Sequence, residues 1–103
     1  MTTKIFLCCA AGMSTSMVVD KMLKSASERN INVEIKAYSI SEFEDVINSY
    51  DICLVAPQVS YKFNDFNTRC KEEGKKCAKI DMMLYGTLNG EEILSQALEL
   101  TNN

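Results

Sequence analysis

The densest chemistry in the chain lies in the segment Cys8-Cys9-Ala10-Ala11-Gly12-Met13-Ser14-Thr15-Ser16. A thiol stands beside a run of small residues, a glycine and three consecutive hydroxyls. Small side chains let a backbone curl around a ligand, and Gly12 can take the positive φ that aims successive N–H groups at one point. A helix opening at Ser14 adds its unpaired N–H groups and the positive end of its dipole. Such a loop suits an anion of phosphate size. Cys9 stands at its mouth, where the same groups should lower the thiol's pKa and hold it as a thiolate. Ser14, Thr15 and Ser16 can either cap the helix or donate hydroxyls to the anion. Side chains alternate along a strand, so Cys8 is expected in the core.

The chain has 103 residues and no histidine. Ser-His-Asp and Cys-His units, a histidine-ligated metal and an internal phosphohistidine are therefore excluded within it. A thiolate needs no general base, and phosphoryl transfer asks mainly for positioning and charge stabilisation. The five cysteines are Cys8, Cys9, Cys53, Cys70 and Cys77. Their odd number and the lack of C-x-x-C spacing argue against a disulfide framework or zinc site. Cys53, Cys70 and Cys77 read as core or surface filler. Neither a metal nor a cofactor is expected, and free thiols suit a reducing cytoplasm.

The net charge is −3, from 11 basic and 14 acidic side chains. Lys71, Lys75, Lys76 and Lys79 are mixed with Glu72 and Glu73, which reads as a solvated face and not a nucleic-acid stripe. The apolar run Ile5 to Met13 is too short to span a membrane and reads as a strand entering a loop. No membrane insertion is expected.

Strand and helix alternate four times, which predicts one domain over residues 1–103. Ile5 to Cys8 is apolar on both faces. Ser14 to Arg29 reads as a helix with a stripe of Val18, Val19, Met22, Leu23 and Ala26, stopped at Asn30. Val33, Ile35 and Ala37 alternate with polar residues as in a half-exposed strand. Ser41 and Glu44 are expected to form a capping box for a short helix with Phe43, Val46 and Ile47. Ile52 to Ala56 is again uninterrupted. Pro57 opens a helix carrying Val59, Phe63, Phe66 and Cys70, which Gly74 ends. Cys77 to Ile80 is a weaker strand, Gly86 marks a turn, and Asn89 caps a last helix with Ile93, Leu94, Ala97 and Leu98 inward. Runs apolar on both faces belong in the centre of a parallel sheet. The expected fold is α/β, a four-stranded parallel sheet of order 2-1-3-4 with helices on both faces. Its switch point lies between strands 1 and 3, where ligands bind beyond the carboxyl ends. That rule points to the Cys9–Ser14 loop and the Pro57-Gln58 loop before any motif is invoked.

The pattern C-x-x-G-M-S-T-S after a short strand resembles the active-site loop of the IIB component of the lactose/cellobiose (chitobiose) class of the bacterial sugar phosphotransferase system. Ala56-Pro57-Gln58-Val59-Ser60-Tyr61 and Asp81-Met82-Met83-Leu84-Tyr85-Gly86 also resemble segments of that family, in the same order and at fitting spacing. The resemblance implies a phosphocarrier. A IIA component would pass a phosphoryl group from its phosphohistidine to Cys9, and the group would then go to a sugar held by the membrane IIC component. Ala10, Ala11, Gly12, Met13, Ser14, Thr15 and Ser16 would cradle it, with Pro57, Gln58 and Tyr61 at the rim where partners dock. Met13, Val59 and Tyr61 are the expected apolar contact residues.

The loop is also similar to that of low-molecular-weight tyrosine phosphatases, C-x5-R-[ST], and the fold expected here resembles theirs. Thr15 stands where those enzymes need arginine, whose bidentate fork stabilises the transition state. A cradle without that cation should hold phosphate without promoting its hydrolysis. The alternative reading is a small cysteine phosphatase or arsenate reductase, in which Asp81 would be the general acid; a helix or turn cap is the plainer role for that residue. A flavin-binding module is a further alternative, since a hydroxyl-rich loop after the first strand suits a flavin phosphate.

Overall fold

The computed structural model describes residues 2–10 and 13–101. The element order is β1 (Thr3–Cys9), α1 (Met13–Glu28), β2 (Val33–Ser39), α2 (Phe43–Val46), β3 (Ile52–Val55), α3 (Phe63–Glu72), β4 (Lys76–Lys79), α4 (Met82–Gly86) and α5 (Gly90–Glu99). Single 3₁₀ turns flank α2, and a longer 3₁₀ segment, Pro57–Lys62, leads into α3. The sheet is parallel throughout, in the order β2-β1-β3-β4. No helix among the described residues is long and apolar enough to cross a membrane.

The burial follows from that order. β1 and β3 are the inner strands, and Ile5, Phe6, Leu7, Cys8, Ile52, Cys53 and Val55 are almost wholly buried because helices cover both faces. One face is aromatic: Phe6 meets Tyr38, Phe43 and Tyr50, and Phe43 stacks on Phe66 with ring centroids 3.9 Å apart. The other is aliphatic, where Val18, Met22 and Ala26 of α1 and Ile93, Leu94 and Ala97 of α5 are buried. α5 approaches α1 so closely that a Cβ on Gly90 would fall onto the backbone of Lys21 and Met22. Asn30 and Gly74 take positive φ, +55° and +73°, at the ends of α1 and α3, as the sequence predicts.

Several local expectations change. The Ser41–Glu44 capping box is absent. Glu42 instead accepts a hydrogen bond from the Ser39 backbone N–H (3.0 Å), so the chain turns two residues earlier. Glu44 is engaged elsewhere: its carboxylate takes a bidentate pair from Arg69 at 2.8 and 2.9 Å, a stronger interaction than a cap. Leu23, at the margin of the α1 stripe, is exposed, and Gly86 closes a short helix. Val59 is buried at 1 % exposure and is not a contact residue, because its 3₁₀ segment turns it inward. Cys53 and Cys70 lie in the core and Cys77 is half-buried, as expected, but the three are also gathered together. Cys53 and Cys77 are register partners on β3 and β4, Cys70 lies in the last turns of α3, and the three sulfurs lie within 4.8 Å of one another.

Candidate active site

Cys9 is the last residue of β1, an inner strand, and stands in register with Ser39, the last residue of β2. On its other side β3 has already ended, and the Ala56 N–H donates to the Cys8 carbonyl at 2.9 Å. The strand therefore delivers Cys9 to the carboxyl edge of the sheet, between the ends of two neighbours. Its side chain is 3 % exposed, and its thiol lies 3.7 Å from the Tyr38 carbonyl, to which it donates. Cys8, in register with Tyr38 and Val55, is wholly buried, as alternation predicts.

Ala10 is exposed, and α1 begins at Met13. The expected phosphate ligands Ala11 and Gly12, and the side chains of Met13 and Ser14, lie outside the described residues. Thr15 sits in the first turn of α1 and is wholly buried. Its Oγ1 lies 2.8 Å from the Tyr85 hydroxyl in a buried hydrogen bond. Ser16 is exposed on the same turn. The 16-residue helix α1 therefore begins four residues after the thiol that ends β1, and a helix N-terminus carries unpaired N–H donors and a positive dipole end.

Two further loops leave the same edge of the sheet. After β3, Pro57 opens the 3₁₀ segment in which Gln58 and Tyr61 are exposed, Tyr61 by 73 %. After β4, Ile80 hydrogen-bonds back to Val55 at 2.9 Å and Asp81 starts α4. Asp81 caps that helix, accepting from the Leu84 N–H at 3.1 Å, so its carboxylate already has a structural task. α4 presents Met82 and Met83 to solvent at 76 and 73 % exposure and turns Tyr85 inward to Thr15. An open groove of about 370 Å³ runs along this edge between Pro57, Ser60, Lys79, Asp81, Met82 and Gln96.

Tyr85, Met82 and Met83 lie in a segment that resembles the family's, but nothing in its spacing tells which side chain turns inward. The Tyr38 contact uses a backbone carbonyl and leaves no trace in residue type.

Residues 4–96 match the family model described as PTS system, Lactose/Cellobiose specific IIB subunit. The chain is 34 % identical over 103 residues to the galactose-specific EIIB component of Lactococcus lactis subsp. cremoris, covering 95 % of each. It is 25 % identical over 83 residues to a lactose-specific EIICB component of Lactococcus lactis subsp. lactis, covering 81 % of this chain and 15 % of that one. The solution structure of a cellobiose-specific IIB component from Borrelia burgdorferi superposes with a TM-score of 0.83 at 36 % identity, covering 100 % of this chain and 94 % of that one.

Proposed function

Since the chain belongs to the lactose/cellobiose-specific IIB family of the sugar phosphotransferase system, a family of phosphotransferase components, we propose that Cys9 is the residue that carries the phosphoryl group. The observation that bears most weight is the position of Cys9: a thiol at the carboxyl end of an inner strand, with α1 starting four residues later at Met13. In the first step the Cys9 thiolate attacks the phosphorus of a IIA phosphohistidine. An S–P bond forms, the N–P bond breaks, and its electron pair stays on the imidazole nitrogen. In the second, a hydroxyl of a lactose/cellobiose-class sugar held by the membrane IIC component attacks. The O–P bond forms, the S–P bond breaks, Cys9 leaves as thiolate, and the hydroxyl proton passes to a base on the acceptor side.

The protein's share of the work is placement and charge stabilisation. Residues 10–16 form the cradle, with backbone N–H groups and the α1 dipole facing the phosphoryl oxygens. Thr15 faces Tyr85, so its contribution is to fix the head of α1. It also occupies the position where phosphatases of similar loop pattern carry arginine, and a cradle without that fork lets the phosphocysteine survive until an acceptor arrives. Pro57, Gln58 and Tyr61, with Met82 and Met83 opposite, form the rim on which the partners dock. The fused EIICB relative supports a IIC partner, and the chemistry supports a IIA donor and a cytoplasmic setting. The chain 1–103 acts as one carrier domain, and the phosphoryl relay itself uses no metal or cofactor.

The test is labelling by phosphorylated IIA proteins, followed by phosphopeptide mass spectrometry. One phosphoryl group per chain on Cys9, absent in Cys9→Ser, is expected. Normal labelling of Cys9→Ser would reject the assignment.

A further inference from the structure

The sulfurs of Cys53, Cys70 and Cys77 converge on the face of the sheet opposite Cys9. Strand alternation sets this: Cys53 pairs with Phe6 and Cys77, so all three share the aromatic face with Cys8, while Cys9 points the other way. Cys70 reaches the same point from the last turns of α3. All pairwise sulfur separations are within 4.8 Å. Three sulfurs bonded at about 2.3 Å to one central atom sit about 4 Å apart, so small side-chain adjustments close the group on a single atom. Cys53 and Cys70 are wholly buried, whereas Cys77 is partly exposed on the edge strand and gives access from solvent.

We propose that Cys53, Cys70 and Cys77 form a three-sulfur binding site for a trivalent thiophilic metalloid of the arsenic(III) type. Charge selects this occupant. Three thiolates around a monovalent ion leave two negative charges in the core, and around a divalent ion one, each costly to bury. A trivalent centre leaves none. Arsenous acid also arrives uncharged. Counted from the three thiols, three S–H and three As–O bonds break, three As–S bonds form and three waters leave, with no change of oxidation state. Each of the three thiols gives its sulfur to arsenic and its proton to one departing hydroxide.

The experiment titrates the reduced full chain, as Cys9→Ser, with arsenite alone. That background removes the Cys9 thiol as a competing site. Native mass spectrometry is expected to show one arsenic gained and three hydrogens lost. Alkylation and peptide mapping should show Cys53, Cys70 and Cys77 protected together while Cys8 reacts once the chain is opened. Cys77→Ser, at the exposed corner, should weaken uptake by at least about tenfold, a loss of the size that disturbing a metal site commonly produces. Absence of uptake, protection of any other set of cysteines, unchanged affinity in Cys77→Ser, or a disulfide among the three in place of bound arsenic would overturn the proposal. Should Cys77→Ser fail to fold, the protection map decides alone.

Discussion

Thr15 and Tyr85, 70 residues apart in sequence, share a buried hydrogen bond of 2.8 Å between their hydroxyls. It ties the first turn of α1, which follows the Cys9 loop, to the short helix after β4. A hydroxyl placed where it looks available to a ligand is instead used to hold the helix head.

Tyr85→Phe strips the Thr15 hydroxyl of this partner in a fully buried setting. A loss of about 1–3 kcal/mol is expected in denaturant unfolding. Phosphoryl acceptance from a IIA donor should slow as well. Thr15→Val combined with Tyr85→Phe removes both polar groups and should recover part of the stability, the coupling that a double-mutant cycle reads out.

Gly90→Ala tests the junction of α1 and α5. The new methyl would fall on the Lys21 and Met22 backbone, which cannot rotate away as a side chain can. Overpacking of this kind costs about 1–3 kcal/mol. Because α1 must shift to relieve it, labelling at Cys9 should fall along with the thermal midpoint.

Met82 and Met83 together expose an apolar surface on α4, and Met82 lines a groove with Pro57 and Ser60. Replacing both with serine should leave the unfolding midpoint almost unchanged, since neither is packed. If this surface receives a partner, the concentration of phosphorylated IIA needed for half-maximal rate should rise. An unchanged requirement would remove these methionines from the rim.

The Glu44–Arg69 pair carries a pH signature. A hydrogen bond from Arg69, opposed by some desolvation, lowers the Glu44 pKa below the ordinary carboxylate value of 4.5. A lowered folded-state pKa means stability that is present above that value and is lost as pH falls through the folded-state pKa. Urea midpoints of the parent and Arg69→Ala should therefore differ at neutral pH and converge in acid. Glu44 is exposed and Arg69 half-buried, so the gap should be small and should shrink further in high salt.

Much of this molecule is legible in its sequence. Two strands apolar on both faces and two flanking strands that are not are enough to dictate the order 2-1-3-4. That order brings the ends of strands 1 and 3 together, so Cys9 and Pro57 emerge as neighbours from topology alone. Helix ends were readable at Asn30, Gly74 and Asn89, because left-handed φ and side-chain capping are properties of single residues. The capping box was misplaced because Glu44 had a distant and stronger partner in Arg69, which no local pattern reveals.

Side-chain pairing across elements was decided only in three dimensions. Whether Thr15 faces a ligand or Tyr85 depends on how α4 docks after β4. Whether Val59 is a contact residue depends on which way a 3₁₀ segment rolls. Cys53, Cys70 and Cys77 read as unrelated because their spacing fits no metal motif, yet strand register and the end of α3 bring their sulfurs together. Hydrophobic periodicity depends on neighbours within a few residues and is therefore written in the sequence. A hydrogen bond or a thiol cluster between residues from different elements exists only once the sheet has fixed where those elements meet.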